Sequence, residues 1–293
     1  MILVVGSTGM LGMEICRRLR ASDRQVRAFV RPGSSREGAL RALGVEIAHG
    51  DLRSPSSIEA ACTGIDTVIT TATAMGSKDR SLTLRAVDLQ GQLALVQAAR
   101  ASGVRRYVFM SASPNLQTSA PLVRYKREVE HAVRGSGMQW TILQPSVLVD
   151  VWLSQLLGWD HVAGRGMVFG AGIEPLSWIT IGDVAECVMR CLDDPRCIDR
   201  DLPLGGPELL SPNEVVKLFE SLSGRPYRIR RVPRGVLSVM APLMARIDEK
   251  IGSGMSMGLQ TTRGDVIDSP LQRALGAPTT TVRDYASRVL GLS

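Results

Sequence analysis

Met1-Ile2-Leu3-Val4-Val5-Gly6-Ser7-Thr8-Gly9-Met10-Leu11-Gly12 is an apolar run that enters a glycine-rich turn, and an amphipathic segment follows without a gap. That order is the strand–turn–helix context of a dinucleotide-binding loop. Gly6 lets the chain turn tightly, Gly9 lets backbone amides approach a pyrophosphate, and Gly12 lets the helix sit close on the strand. Phosphate charge then meets the positive end of the helix. Gly6, Ser7, Thr8, Gly9, Met10, Leu11 and Gly12 are therefore expected cofactor contacts.

Met10, Leu11, Ile15 and Leu19 recur at helical spacing with Arg17, Arg18 and Arg20 largely opposite, which predicts a helix over 10–22 that covers a sheet. A second strand over 25–30 ends at Arg31-Pro32-Gly33-Ser34-Ser35-Arg36. An NAD enzyme usually places a carboxylate there for the ribose hydroxyls. A cation beside small hydroxyl residues suits a ribose 2′-phosphate, so NADP(H) is the expected cofactor, with Arg31 as chief ligand and Ser34 and Arg36 in support. A solvated arginine in a loop is the alternative.

Strand and helix patterns keep alternating: helix 36–43, strand 45–48, helix 57–62, strand 67–71, a long helix 82–102, strand 106–110, helix 123–135 and strand 140–143. Such winding predicts an α/β chain with a Rossmann-type, doubly wound parallel sheet and a smaller C-terminal substrate or partner lobe. The core is expected over 1–150, completed by 174–206, and the lobe over 151–173 and 207–293. Gly50-Asp51-Leu52 follows the third strand. Asp51 there either accepts from the adenine amine beside Leu52 or caps the next helix. Gly91, inside the long helix, is expected to permit close packing, since glycine costs about 1 kcal/mol there against alanine.

Composition frames this reading. The chain has 293 residues, 44% hydrophobic, with 35 Lys+Arg against 28 Asp+Glu, a net charge of +7. The basic residues are dispersed and aromatics make up only 4%, so a solvated surface and an anionic cofactor explain the charge better than nucleic acid. Cys16, Cys62, Cys187, Cys191 and Cys197 form no CxxC pair, and His49, His131 and His161 lie far apart, so no metal site is expected. Cys187 and Cys191 read as buried packing residues, with a thiol pair as the alternative. The odd cysteine count points to a reducing compartment. A strand at Met1 leaves no room for a signal peptide, and no apolar run reaches the ~18 residues of a membrane span, so a cytoplasmic location is expected.

GSTGMLG after the first strand, RPG after the second and GDL after the third are joined by VDLQGQLALVQAARASGVRRYVFMSAS (87–113) and YKREVEHAVRGSGMQWTILQPS (125–146). Together they resemble an atypical short-chain dehydrogenase/reductase of the NmrA-like, isoflavone reductase-like group. That group includes NADP(H)-dependent reductases, nitrogen-regulation cofactor sensors and photosystem assembly factors. The likeness is strong over residues 1 to about 195 and loose beyond. In the classical short-chain dehydrogenase/reductase members a tyrosine stands four residues before a lysine, the pair acting as proton donor and ribose-binding cation. Lys126 matches that lysine, but Leu122 holds the tyrosine position.

Tyr125 is turned about 100° around the helix from Lys126 and does not simply replace the missing tyrosine. The resemblance therefore implies chemistry of the isoflavone reductase kind, with Lys126 binding the ribose or moving a proton. Its bland alternative is a structural lysine. Ser111 and Ser113 end a central strand, where ligands collect, and either contact ribose or substrate or satisfy their own backbone. Ala72, Thr73 and Ala74 leave room for the nicotinamide ribose, and Pro145 and Ser146 shape the ring face.

Residues 151–173 carry Trp152, Leu153, Leu156, Leu157, Trp159 and His161 before a run of glycines, a patch suited to a small apolar or aromatic substrate or a partner. Trp152 and Trp159 share one face of any helix there, with core packing the default. Trp178–Thr180 reads as a short strand and Asp183 as a helix start. Ser211 caps a helix to about 222, a strand covers 227–232, and 280–290 is a closing helix. The methionine-bearing apolar stretch 236–251 suits packing, a lid, a homodimer or protein contact, or a membrane surface. Two readings follow: an NADPH-dependent reductase of a quinone, enone or aromatic ketone, or an NADP(H)-binding sensor or assembly protein without turnover.

Overall fold

The computed structural model describes residues 1–292. The first half alternates as read: β1 (Ile2–Val5), α1 (Met10–Ala21), β2 (Val26–Val30), α2 (Glu37–Ala42), β3 (Glu46–His49), α3 (Pro55–Cys62), β4 (Thr67–Thr70), α4 (Gln92–Ala101), β5 (Arg106–Met110), α5 (Pro121–Arg134) and β6 (Gln139–Pro145). After it come α6 (Val149–Trp152), β7 (Arg165–Phe169), β8 (Leu176–Ser177), α7 (Ile181–Asp193), β9 (Arg200–Leu204) and β10 (Leu209–Leu210). The chain closes with α8 (Pro212–Ser223), β11 (Arg228–Val232), α9 (Arg234–Ile247), α10 (Glu249–Thr261), α11 (Pro270–Ala274) and α12 (Val282–Val289).

Two compact units result: 1–111, 121–144 and 185–202 form the first, and 112–120, 145–184 and 203 onward the second. In the first, seven strands are ordered β3-β2-β1-β4-β5-β6-β9, and neighbours from β3 to β6 pair in parallel. Their residues explain the order. β1, β4 and β5 are buried throughout, as central strands covered on both faces must be, while β3 is half-exposed at the edge. α1 buries Leu11, Ile15, Cys16 and Leu19 and turns Arg17 outward.

The second unit has its own core, in which Trp159, Trp178, Phe219, Tyr227 and Tyr285 pack among aliphatic side chains. β7 pairs with β11 in parallel and β8 with β10 antiparallel. Ser211 and Glu214 form the capping box that starts α8.

Three sequence expectations are corrected. The helix expected over 82–102 is interrupted by a wide π turn, Arg85–Gly91, before α4. No single helix holds Trp152 and Trp159, because α6 stops at Trp152. The strand placed at Trp178–Thr180 lies at Leu176–Ser177, and Ile179 makes only an isolated bridge to Leu148. The apolar stretch 236–251 is two helices that meet at Asp248, whose carboxylate accepts the amides of Lys250 and Ile251 and so starts α10. Among the described residues no helix is long and apolar enough to cross a membrane.

Candidate dinucleotide and reductase site

The glycine turn is built by close approach. Gly6 has φ +84°, and a Cβ there would lie 2.7 Å from the amide nitrogen of Ala72. A Cβ on Gly12 would lie 2.2 Å from the carbonyl oxygen of Gly6, so only glycine lets α1 sit on the strand end. Ser7 is buried and donates to the carbonyl of Phe29 at 3.0 Å, which locks the turn to β2. Thr8 is partly exposed and Gly9 and Met10 are exposed, whereas Leu11 is buried. Gly9 caps α1 without a side-chain hydrogen bond and no acid occupies the first turn, so the helix start repels no anion. The tight backbone packing that Gly6 and Gly12 permit, and this bare, exposed helix start, fit a dinucleotide pyrophosphate.

Cations gather at the adjoining strand ends. Arg31, half-exposed after β2, pairs with Asp79 at 3.7 Å. Arg36 donates to the carbonyl of Thr8 at 2.8 Å and so braces the glycine turn, while the Ser34 hydroxyl accepts the Arg36 amide at 3.4 Å. Asp51 does not cap α3, whose N-cap is Ser54. Its carboxylate is held by the fork of Arg53 at 2.9 and 2.8 Å, and those hydrogen bonds keep it below the usual carboxylate range against the opposing effect of burial. Leu52 is buried, and a Cβ on Gly91 would reach within 2.8 Å of it, the close contact expected of that glycine.

At the same carboxyl edge, β4 and β5 end in small and polar residues. Asp88, fully buried in the π turn, accepts the Ala74 amide at 2.8 Å, and Gln92 donates to the Ala72 carbonyl at 3.1 Å. Thr73 is exposed, its hydroxyl accepting the Met75 amide at 3.1 Å. Lys126 is buried on α5. Its ammonium donates to the Met110 carbonyl at 2.9 Å and stands 4.9 Å from the centre of the Phe109 ring. Burial lowers its pKa, and the charges of Asp88 and Glu130 work the other way.

Ser111 donates to Glu130 at 2.5 Å, and Glu130 also takes Gln144 at 3.1 Å and Arg127 at 2.5 Å. Burial pushes the Glu130 carboxyl up, but these donors leave it below its ordinary value. Ser111 therefore keeps only lone pairs for a ligand. Leu122 and Tyr125 are both buried. Asp88, Gln92 and Glu130 were given no site role in the sequence, although polar residues at buried positions of helices, here the π turn, α4 and α5, are themselves a signal of a polar network.

In the second unit, Ser113 and Ser146 each donate to the buried Asp265 at 2.7 Å, and Asn115 donates to it at 2.9 Å. Pro145 is buried before Ser146. Trp152, Trp159 and Trp178 line an apolar cavity of about 20 Å³, room for one water, so these rings are core. The indole N–H groups of Trp159 and Trp178 are taken by the carbonyls of Met167 and Leu210. All five cysteines are buried and none forms a disulfide, and the Cys191 thiol hydrogen-bonds Cys197. Among the described residues no group of His, Cys, Asp and Glu is arranged to hold a metal.

The model of the NmrA-like family matches residues 1–272. The chain belongs to the NmrA-like family. This NmrA-like protein is 32% identical over 230 residues to an NAD(P)H azoreductase of Xenophilus azovorans, covering 78% of this chain and 76% of that one. It is 30% identical over 239 residues to the photosystem II assembly factor Ycf39 of Guillardia theta, covering 80% and 74%. Among solved structures, an NADPH-dependent quinone oxidoreductase of Escherichia coli complexed with NADPH superposes with TM-score 0.78 over 99% of both chains at 18% identity. The triphenylmethane reductase of a Citrobacter species does so with TM-score 0.78 at 20% identity, over 99% of both chains.

Proposed function

We propose that this NmrA-like protein is an NADPH-dependent reductase of a conjugated apolar acceptor of the quinone, enone or aromatic ketone type. The observation that carries the reading is the buried Lys126 ammonium, anchored on Met110 at the same sheet edge as the glycine turn. The azoreductase relative supports it. Gly6 to Gly12 would hold the pyrophosphate, Arg31 with Ser34 and Arg36 the 2′-phosphate side, Asp51 and Leu52 the adenine, and Ala72 to Ala74 with Lys126 the nicotinamide ribose. Pro145 and Ser146, expected at the ring face, belong to the second unit.

When bound, the reduced nicotinamide supplies a hydride. The acceptor then needs one proton. Lys126 would give it, because burial lowers its pKa and makes it a better acid than a solvated lysine. Its neutral amine recovers a proton from solvent. Ser111, its own proton engaged by Glu130, accepts rather than donates, and Tyr125 is a buried neighbour of the lysine. Five free thiols suit a reducing, cytoplasmic setting.

A second reading rests on Leu122, which gives no proton where classical short-chain dehydrogenases carry tyrosine, and on the assembly-factor relative. On it the protein binds NADP(H) without turnover and acts through a partner or as a homodimer. Stopped-flow oxidation of stoichiometric NADPH against quinones, enones and aromatic ketones separates the two. Turnover lost in Lys126→Ala supports the reductase. Bound NADPH that no acceptor oxidises supports the second reading.

A further inference from the structure

The ends of β2 and β3 and the segment after β4 share one charge network within the first unit. Asp79 pairs with Arg31 at 3.7 Å, and one of its oxygens also accepts the amide and hydroxyl of Ser81 at 2.9 and 2.7 Å. From the other side, Arg53 forks onto Asp51 and gives its remaining nitrogen to the Ser81 hydroxyl at 3.1 Å. The turn 79–81 therefore lies between two guanidiniums. Asp79 is held below its ordinary pKa by Ser81 first, and then by the charges of both Arg31 and Arg53. Any anion standing where this carboxylate stands feels both cations.

In a dinucleotide fold the residue that ends β2 faces the ribose 2′ position, where NAD sites carry a carboxylate and NADP sites a cation. Here the cation is present and a carboxylate from another segment is seated on it. That pair is weak, being long and half-exposed on both sides. A ribose 2′-phosphate offers three oxygens to arginine forks and pairs with them more strongly.

We propose that Arg31 and Arg53 together form the 2′-phosphate subsite and that Asp79 is an internal competitor for it, displaced from Arg31 when NADP(H) binds. This rests on the NADP(H) reading above. Asp79 thereby sets how strongly the protein prefers the phosphorylated cofactor, and Arg53 couples that preference to Asp51 and the adenine side.

Isothermal titration calorimetry of the whole protein with adenosine 2′,5′-bisphosphate and with 5′-AMP tests it. Wild type is expected to bind the bisphosphate more tightly. In Asp79→Asn the bisphosphate should tighten about threefold or more with 5′-AMP unchanged, the scale of one exposed ion pair. In Arg53→Gln the ratio of the two affinities should fall about fivefold or more, as for one charge-assisted phosphate contact. A wild-type preference that Asp79→Asn leaves unmoved overturns the competitor while the NADP(H) reading stands. An unmoved ratio in Arg53→Gln overturns the two-arginine subsite. Equal binding of both probes by wild type overturns the proposal and the NADP(H) reading together.

Discussion

The hydroxyl of Ser111 donates to the carboxylate of Glu130 at 2.5 Å, and both side chains are buried. This bond joins the end of β5 to α5, the helix that carries Lys126. Glu130 also accepts from Gln144 of β6, so one carboxylate ties the lysine-bearing helix to two strands while Arg127 and Arg134 of the same helix balance its charge.

Glu130→Gln leaves the Ser111 and Gln144 contacts short of a charged acceptor and should destabilise the fold by about 1–3 kcal/mol. Because the folded pKa lies below the usual 4.5, the stabilisation is present above that value and lost as pH falls through the folded pKa. Thermal unfolding across pH 2–7 should therefore show a shallower acid limb in the variant. An acid limb identical to that of wild type refutes the assignment.

Lys126 has the opposite sign. Its folded pKa is below the ordinary 10.5, so between the two values the unfolded chain binds more protons and stability rises with pH. Lys126→Met should abolish that alkaline rise. On the proposed chemistry, Lys126→Ala should also slow NADPH oxidation by about a hundredfold, and in wild type the rate should fall as pH climbs through the lowered lysine pKa. A rate independent of pH up to the ordinary lysine range would count against proton transfer by this residue.

Gly12→Ala places a methyl against the Gly6 carbonyl, a backbone atom that cannot swing aside. The expected cost is about 1–3 kcal/mol, with loss of NADPH fluorescence enhancement. Gly38, in α2, has nothing within 4 Å of its Cβ position, so Gly38→Ala should gain up to about 1 kcal/mol and leave binding unchanged. Chemical denaturation of the two variants gives shifts of opposite sign, and matched shifts would contradict the packing argument.

Asp265→Ala removes the acceptor shared by Ser113, Ser146 and Asn115. Orphaning these groups should cost about 2–4 kcal/mol, whereas Asp265→Asn, which retains one carbonyl oxygen, should recover part of it. Urea midpoints order the three proteins, and an Asn variant no better than Ala would place the loss in charge rather than hydrogen bonding.

Much of the fold was legible because its signals are local. The glycine turn, the buried runs of β1, β4 and β5 and the capping box at Ser211 each declare themselves within a few residues. Where reading failed, distant contacts had decided the outcome. The π turn at 85–91 lets Asp88 reach the Ala74 amide, a partner fourteen residues away that no periodicity reports. Trp152 and Trp159 share no helix, because α6 ends at Trp152, yet both rings reach the core of the second unit, which helical spacing does not report.

The sequence by itself determined the parallel dinucleotide-binding architecture, the cation at the end of β2 and the absence of a tyrosine four residues before Lys126. Those are matters of residue type at fixed spacing, which backbone geometry converts directly into position. Only the tertiary structure decided that Arg53 holds Asp51, that Asp79 sits on Arg31 and that Glu130 takes the proton of Ser111. Such partners are chosen by which side chains the folded chain brings within reach, and for the buried Ser111–Glu130 pair the cost of leaving a polar group unpaired, not sequence proximity, makes the choice.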